Sequence, residues 1–155
     1  MSHSGKLDSV VLTWLSTRLT LELVKRFEQE GGGITLMEDQ ATKVNFLRLS
    51  TNAEMIQFAT HAQVNDEQPL KSFLALNPQP KENDDGYLLA SDLYGLNLNS
   101  KLVVLSACQT GLGQYQRGEG VLSLAHAFQY AGSPSMGYSL WSIADQQTNW
   151  VIDHL

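Results

Sequence analysis

The stretch 102-LVVLSACQTGLG-113 contains the only cysteine of the chain, Cys108, just after an apolar run. The run at 102–106 predicts a short buried strand, and the glycines that follow predict a loop. In a parallel α/β sheet, ligands bind beyond the carboxyl ends of the strands, so a thiol at this position is accessible to a substrate. The alternative is a core residue, because an unpaired cysteine is among the most frequently buried residue types.

Short apolar strands alternate with amphipathic helices along the rest of the chain. Strands are predicted at 9–14, 34–37, 55–60, 102–106 and 136–141, and helices at 16–30, 40–49, 91–96, 119–131 and from 145 onward. Asp39 and Ser91 are expected to cap the second and third helices, and Gly132 to end the fourth. The alternation predicts right-handed crossovers and a three-layer α/β/α fold with a mainly parallel central sheet.

A β-hairpin is predicted at about 72–90, outside the main sheet. The runs at 73–76 and 87–89 are apolar, and the segment NPQPKENDDG between them is rich in turn-forming residues. Such a connection favours antiparallel pairing over a helical crossover. The acidic side chains around this hairpin are expected to be solvated loop charges; they are Asp66, Glu67, Asp84 and Asp85.

Composition excludes several classes of function. A net charge of −6 argues against a nucleic-acid surface, which needs clustered Lys and Arg. No apolar stretch reaches the ~18 residues of a membrane span, and no signal peptide begins the chain. One cysteine forms neither an internal disulfide nor a cysteine-based zinc site, and no phosphate loop or dinucleotide motif is present. We therefore expect a cytoplasmic protein with no metal and no cofactor.

A second reactive group ends another predicted strand. The run 55-MIQFAT-60 leads directly into His61. If this strand and the one before Cys108 are neighbours, the imidazole and the thiol lie at one edge, where an imidazolium lowers the pKa of a thiol. The structural alternative for His61 is a histidine held by ordinary hydrogen bonds. The nucleophile elbow of α/β-hydrolases does not fit, since the histidine precedes the cysteine and position 106 is Ser.

Four segments together resemble the CHAT domain family, over residues from about 16 to the end. They are FATHA (58–62), LVVLSACQTGLG (102–113), GEGVLSLAHAFQYAG (118–132) and SLWSIADQQT (139–148). The resemblance implies a caspase-like fold, kinship with caspases, separases and gingipains, and a cysteine endopeptidase that acts on a protein or peptide. It implies a catalytic dyad of His61 and Cys108, and a tetratricopeptide-repeat region of a larger parent chain as a partner.

The same resemblance implies further site residues. The backbone N–H groups of Ala62 and Cys108 would line an oxyanion hole. Position 62 is usually Gly in the family. If that glycine adopts a positive φ, alanine at this position would be strained by ~1 kcal/mol or more. Trp141 and Asp145 are candidates for lining a substrate pocket; the alternatives are a buried aromatic residue and the cap of the last helix.

The expected domain organisation is simple. Residues 1–8 are interpreted as a disordered or cloning-derived tail, and 9–155 as a single CHAT-like domain that is truncated at its C-terminus, because the last helix has no stop signal. Two functional alternatives stay open beside the peptidase. One is a non-catalytic caspase-like module for interaction or signalling, and the other is a plain Rossmann-like binding domain with a core cysteine.

Overall fold

The computed structural model describes residues 7–13, 33–105 and 119–138; the helices predicted at 16–30 and from 145 lie outside these ranges. The strands in the described ranges are β1 (Leu7–Thr13), β2 (Gly33–Met37), β3 (Ala53–Ala59), β4 (Ala62–Gln63), β5 (Phe73–Ala75), β6 (Tyr87–Leu89), β7 (Leu102–Leu105) and β8 (Ser135–Tyr138). They form a five-stranded sheet in the order β2-β1-β3-β7-β8 and a three-stranded sheet in the order β4-β5-β6.

Every pairing in the five-stranded sheet is parallel. Parallel neighbours need crossover connections, which is the arrangement that the alternation of strands and helices predicts. The predicted α/β class with a mainly parallel central sheet is therefore confirmed. β1 begins at Leu7, so Leu7 and Asp8 belong to a strand and not to the expected tail.

The helices in the described ranges are α1 (Lys43–Ser50), α2 (Ala90–Leu93) and α3 (Glu119–Tyr130). No helix in these parts of the chain is long and apolar enough to cross a membrane. Short 3-10 turns occur at Glu38–Gln40, Pro69–Lys71 and Pro80–Glu82. The α-helices in these ranges fall where the sequence predicts them, but two of the predicted caps are wrong.

Thr42, and not Asp39, caps α1. The Thr42 hydroxyl accepts a hydrogen bond from the backbone N–H of Asn45 at 3.2 Å, which satisfies one free donor of the first turn. Asp39 lies in the preceding 3-10 turn. In α2, Ser91 is inside the helix, and the carboxylate of Asp92 accepts from the N–H of Leu89 at 3.2 Å.

Gly132 ends α3, as predicted. Its φ is +111°, a backbone conformation in which residues other than glycine are strained. A Cβ atom at this position would also clash with the carbonyl oxygen of Leu98. Its N–H donates to the carbonyl of Gln129 at 3.1 Å, and the N–H of Ser133 donates to that of Phe128 at 3.0 Å. These two bonds form the Schellman motif of helix ends.

Three phenylalanine rings connect the sheet to its helices. Phe58 on β3 lies 5.3 Å from Phe46 on α1 and 5.6 Å from Phe128 on α3, measured between ring centroids. All three side chains are fully buried. Because both helices contact the same strand residue, α1 and α3 pack on the same face of the sheet.

The three-stranded sheet confirms the predicted hairpin and extends it. β5 and β6 pair antiparallel, with Phe73 opposite Leu89. β4 pairs antiparallel with β5, with Ala62 opposite Leu74, which adds a strand that the sequence does not predict. The extra strand follows His61 directly, so the hairpin is attached to the loop that carries the histidine.

Lys43 joins the first turn of α1 to the far side of this hairpin. Its ammonium group lies 3.6 Å from a carboxylate oxygen of Asp84 and 3.7 Å from one of Asp85, and it donates to the carbonyl of Tyr87 at 3.0 Å. The side chain of Asp84 is only 10% exposed. The prediction that Asp84 is a solvated loop charge is therefore wrong, since its contacts fix the hairpin against the main domain.

Candidate functional site

The strand that leads to His61 is adjacent to the strand that precedes Cys108. β3 and β7 pair in parallel, with Phe58 opposite Leu105. His61 is three residues beyond Phe58, and its side chain is partly exposed at the carboxyl end of β3. The predicted adjacency of the two strands is confirmed. Cys108 itself lies outside the described residues, as do Trp141 and Asp145.

Thr60 and His61 both form hydrogen bonds with Ala75 of the small sheet. The backbone N–H of Ala75 donates to the carbonyl of His61 at 2.8 Å. The hydroxyl of Thr60, which is fully buried, donates to the carbonyl of Ala75. Both polar backbone groups of Ala75 thus bond to residues 60 and 61. These two bonds fix the backbone that follows β3 against the small sheet.

One ring nitrogen of His61, Nδ1, is buried and makes no hydrogen bond to the described residues. Buried polar atoms in native proteins are nearly always paired. Buried side-chain atoms of Ser50, Gln57, Asp84 and Ser100 also lack a partner within the described ranges, so this observation does not choose between the catalytic and the structural interpretation of His61.

The pairing of β4 with β5 fixes the direction of the backbone groups of Ala62. Residue pairs in an antiparallel ladder alternate between hydrogen-bonded and non-hydrogen-bonded positions. The bond from the Ala75 N–H to the His61 carbonyl marks those two residues as a hydrogen-bonded pair. Ala62 and Leu74, the next pair, are consequently non-hydrogen-bonded, and the N–H and C=O of Ala62 point away from β5.

The opposite side of β5 gives the same result independently. Leu76 donates its N–H to the carbonyl of Gly86 at 2.7 Å, and Ala90 donates to the carbonyl of Ser72 at 2.8 Å. Positions 72 and 76 therefore bond toward β6. By the same alternation, the backbone groups of Leu74 also face β6 and are not available to Ala62.

Ala62 carries no left-handed strain. The described non-glycine residues with positive φ are Glu38 and Asn83, so φ at Ala62 is negative. Alanine is thus compatible with a position that is usually glycine in the family that the sequence resembles. The backbone N–H of Ala62 is retained without a conformational penalty.

Replacing Thr60 by Val should lower the free energy of unfolding by about 1–3 kcal/mol, because the buried carbonyl of Ala75 loses a donor. Thr60→Ser is the matched control. It keeps the hydroxyl and loses one methyl group, which costs about 0.8 kcal/mol. Urea unfolding of the two variants measures the difference. Equal stability of Thr60→Val and the wild type would show that the hydroxyl does not hold this segment.

The fold and the site define a class of protein: an α/β domain with a parallel sheet, a histidine at the end of its central strand and a small antiparallel sheet attached there. The chain belongs to the CHAT domain family, since the family model for the CHAT domain matches residues 10–155. This family is related to caspase-like cysteine peptidases. The matched range includes His61 and Cys108, and also Trp141 and Asp145.

Among solved structures, the chain is similar to a flavodoxin from Streptococcus pneumonia TIGR4, with 12% sequence identity and a TM-score of 0.49. The alignment covers 95% of each chain. No curated protein matches the sequence.

Sequence reasoning missed two parts of the site. Thr60 carries a visible signal, a hydroxyl residue just before His61, but its partner Ala75 lies 15 positions further along the chain. β4 contains only Ala62 and Gln63. Two residues are too few to show the alternating pattern by which strands are recognised.

Proposed function

We propose that the protein is a caspase-like cysteine endopeptidase that cleaves a protein or peptide through a dyad of His61 and Cys108. The observation that carries this proposal is the register of the two central strands, in which Phe58 is opposite Leu105. His61 and Cys108 each follow these paired residues by three positions. Neighbouring strands lie about 4.8 Å apart, and their carboxyl ends meet at the same edge of a parallel sheet.

In this mechanism, the thiolate of Cys108 attacks the scissile carbonyl carbon and forms a tetrahedral oxyanion. The imidazolium of His61 donates a proton to the leaving amine as the carbon–nitrogen bond breaks, which leaves a thioester on Cys108. Water then hydrolyses the thioester and regenerates the thiol. His61 also helps to orient the substrate.

The oxyanion would be held by the backbone N–H groups of Ala62 and Cys108. The outward direction of the Ala62 N–H supports its part, because β5 leaves this donor unused. Backbone donors aimed at a developing oxyanion are a large term in catalysis.

The remaining parts of the proposal concern substrate and setting. Trp141 and Asp145 would wall a pocket for the side chain before the scissile bond. A tetratricopeptide-repeat region of a larger chain would be the partner, and the cytoplasm would be the compartment. The repeat partner follows from the family relation, the cytoplasm from the single cysteine of the chain, and the pocket from the positions of Trp141 and Asp145 in the sequence.

Thiol labelling tests the dyad. Iodoacetamide should modify Cys108 in the native protein near pH 7, and His61→Ala should slow the reaction about tenfold, since the thiolate fraction depends on a nearby imidazolium. His126→Ala is the matched control, because His126 is an exposed histidine on α3. Labelling is followed by mass spectrometry of the intact protein.

Turnover of a peptide panel with varied residues before the scissile bond tests the chemistry itself. The wild type should cleave at least one peptide that Cys108→Ala leaves intact. A thiol that labels only after denaturation would favour the core-cysteine alternative. A reactive thiol without turnover of any peptide would favour the non-catalytic module.

A further inference from the structure

One ammonium group, that of Lys43, lies among three carboxylates where the hairpin meets α1. It is 3.6 Å from an oxygen of Asp84, 3.7 Å from one of Asp85 and 3.8 Å from one of Asp92. The lysine side chain is only 25% exposed, so solvent and salt screen these pairs less than they screen a fully exposed pair. A single positive charge therefore faces three negative charges at this position.

The three carboxylates are bonded to the backbone of the hairpin's second arm. Each accepts from an N–H two or three positions away, at 2.9–3.2 Å: Asp84 from Gly86, Asp85 from Tyr87 and Asp92 from Leu89. The carboxylate oxygens near Lys43 lie within about 8 Å of one another, which is the Debye length at physiological ionic strength. Without the ammonium group, their charges would repel one another and displace the backbone to which they are bonded.

The hairpin passes such a displacement on to His61. The N–H of Leu76 donates to the carbonyl of Gly86 at 2.7 Å, and the N–H of Ala75 donates to the carbonyl of His61 at 2.8 Å. The buried side chain of Leu88 keeps the hairpin on the domain, but apolar packing is not directional. Hydrogen bonds and ion pairs therefore set the exact position of the hairpin.

The other end of this connection, α1, is fixed to β3. The ring of Phe46, three residues after Lys43, lies 5.3 Å from the ring of Phe58 between centroids. Phe58 precedes His61 by three residues. His61 is thus supported from two directions, by β3 and by the hairpin, and Lys43 connects the two supports.

We propose that Lys43 is a positioning residue for His61: its ammonium group neutralises the three carboxylates and so holds the hairpin that fixes the backbone of the histidine. Lys43 takes no part in the proposed chemical steps. The inference deepens the proposed function, and its effect on turnover rests on that function. Its effect on the position of His61 does not.

Three variants test the role of the charge. Lys43→Met removes the positive charge and keeps a long side chain. Lys43→Met combined with Asp85→Asn returns the cluster to its wild-type net charge, and the asparagine keeps an oxygen for the N–H of Tyr87. Lys81→Met is the matched control, because Lys81 is exposed in the turn at the tip of the same hairpin.

Hydrogen exchange at the amide of Leu76 measures whether the hairpin stays closed. Ala75–Leu76 is the only Ala-Leu pair in the sequence, so alanine labelled with ¹³C at the carbonyl and leucine labelled with ¹⁵N give a single backbone peak. Lys43→Met should speed this exchange by about tenfold or more, the effect of losing one charge-assisted hydrogen bond. Adding Asp85→Asn should reverse most of the increase, and Lys81→Met should exchange as the wild type does.

The ring resonances of histidine labelled with ¹³C measure the position of His61, and His61→Ala assigns its signals. These signals should shift in Lys43→Met and return in the double variant. For a peptide that the wild type cleaves, kcat should fall by about tenfold or more in Lys43→Met, since a shift of about 1 Å in a catalytic group can cost ~10²-fold. KM should stay near the wild-type value, because Lys43 acts on His61 and not on the bound substrate.

The outcomes separate this inference from the proposed function. Unchanged exchange at Leu76, or unmoved His61 signals, in Lys43→Met overturns the inference, as does wild-type kcat in that variant. Changes that Asp85→Asn does not reverse show that Lys43 does not act through the charge of the cluster. If exchange and His61 signals respond as expected but the wild type cleaves no peptide, Lys43 positions His61 and the peptidase is wrong.

Discussion

Replacing Ala62 by Pro should lower kcat/KM for peptide cleavage by about 10²–10³-fold, the typical cost of removing one oxyanion donor. Proline lacks the backbone N–H, and at position 62 this group points away from β5. The fold should therefore lose no hydrogen bond of the β4–β5 ladder, as is usual for proline on the solvent side of an edge strand. Turnover of the best peptide of the panel, together with urea unfolding, measures both effects.

Two control variants isolate the N–H of Ala62. Ala62→Gly keeps the N–H and should retain wild-type turnover. Gln63→Pro removes the neighbouring donor, which faces β5 in the same ladder, so it should lower the free energy of unfolding by about 1–3 kcal/mol. Wild-type turnover by Ala62→Pro would exclude this N–H from the oxyanion hole. A loss of stability as large as that of Gln63→Pro would contradict the ladder alternation.

The sequence predicts the central part of the site because that part depends on local patterns. Each apolar run that becomes β3 or β7 identifies a buried strand without reference to any other segment. Each run then leads to one candidate site residue, His61 or Cys108. Parallel α/β topology supplies the rest, since it brings the carboxyl ends of neighbouring strands to one edge. The confirmed adjacency of β3 and β7, in which Phe58 is opposite Leu105, is the outcome of those local rules.

The wrong caps show where local patterns become insufficient. Asp39 and Thr42 are both suitable cap residues, so propensity alone does not choose between them. The choice is made by Asn77, which lies far along the chain. Its side-chain amide donates to the carbonyl of Glu38 at 3.0 Å, and its backbone N–H donates to the carbonyl of Ala41 at 2.8 Å. These bonds hold the segment before Thr42 out of the helix.

The role of Asp84 was not predictable for a similar reason. A run of polar residues between two short strands is typical of a solvated loop tip. The carboxylate is instead fixed through one oxygen, Oδ1, which accepts from the N–H of Gly86 at 2.9 Å and lies 3.6 Å from the ammonium group of Lys43 on α1. Lys43 precedes Asp84 by 41 positions, and no pattern within the hairpin indicates the approach of a helix.

Replacing Phe58 by Ala should lower the free energy of unfolding by about 3–5 kcal/mol, the largest stability effect that we expect in this chain. The side chain is fully buried between the rings of Phe46 and Phe128. Truncation removes its burial and leaves a cavity at the junction of β3, α1 and α3. Since domains are stable by only about 5–15 kcal/mol, this loss is a large part of the total. Urea unfolding measures it.

The effect of Phe58 should extend to the candidate site, because the ring anchors the strand that carries His61 three residues further on. Phe58→Leu fills much of the cavity and should stay folded, yet lower peptide turnover, since a shift of about 1 Å in a catalytic group can cost ~10²-fold in rate. Val44→Ala is the matched control on α1: Val44 is 50% exposed, so the change should stay within about 0.5 kcal/mol of wild type. If Phe58→Ala is as stable as Val44→Ala, the three rings do not hold the sheet to its helices. If Phe58→Leu keeps full turnover, the position of His61 is set by its contacts with Ala75 and not by the packing of β3.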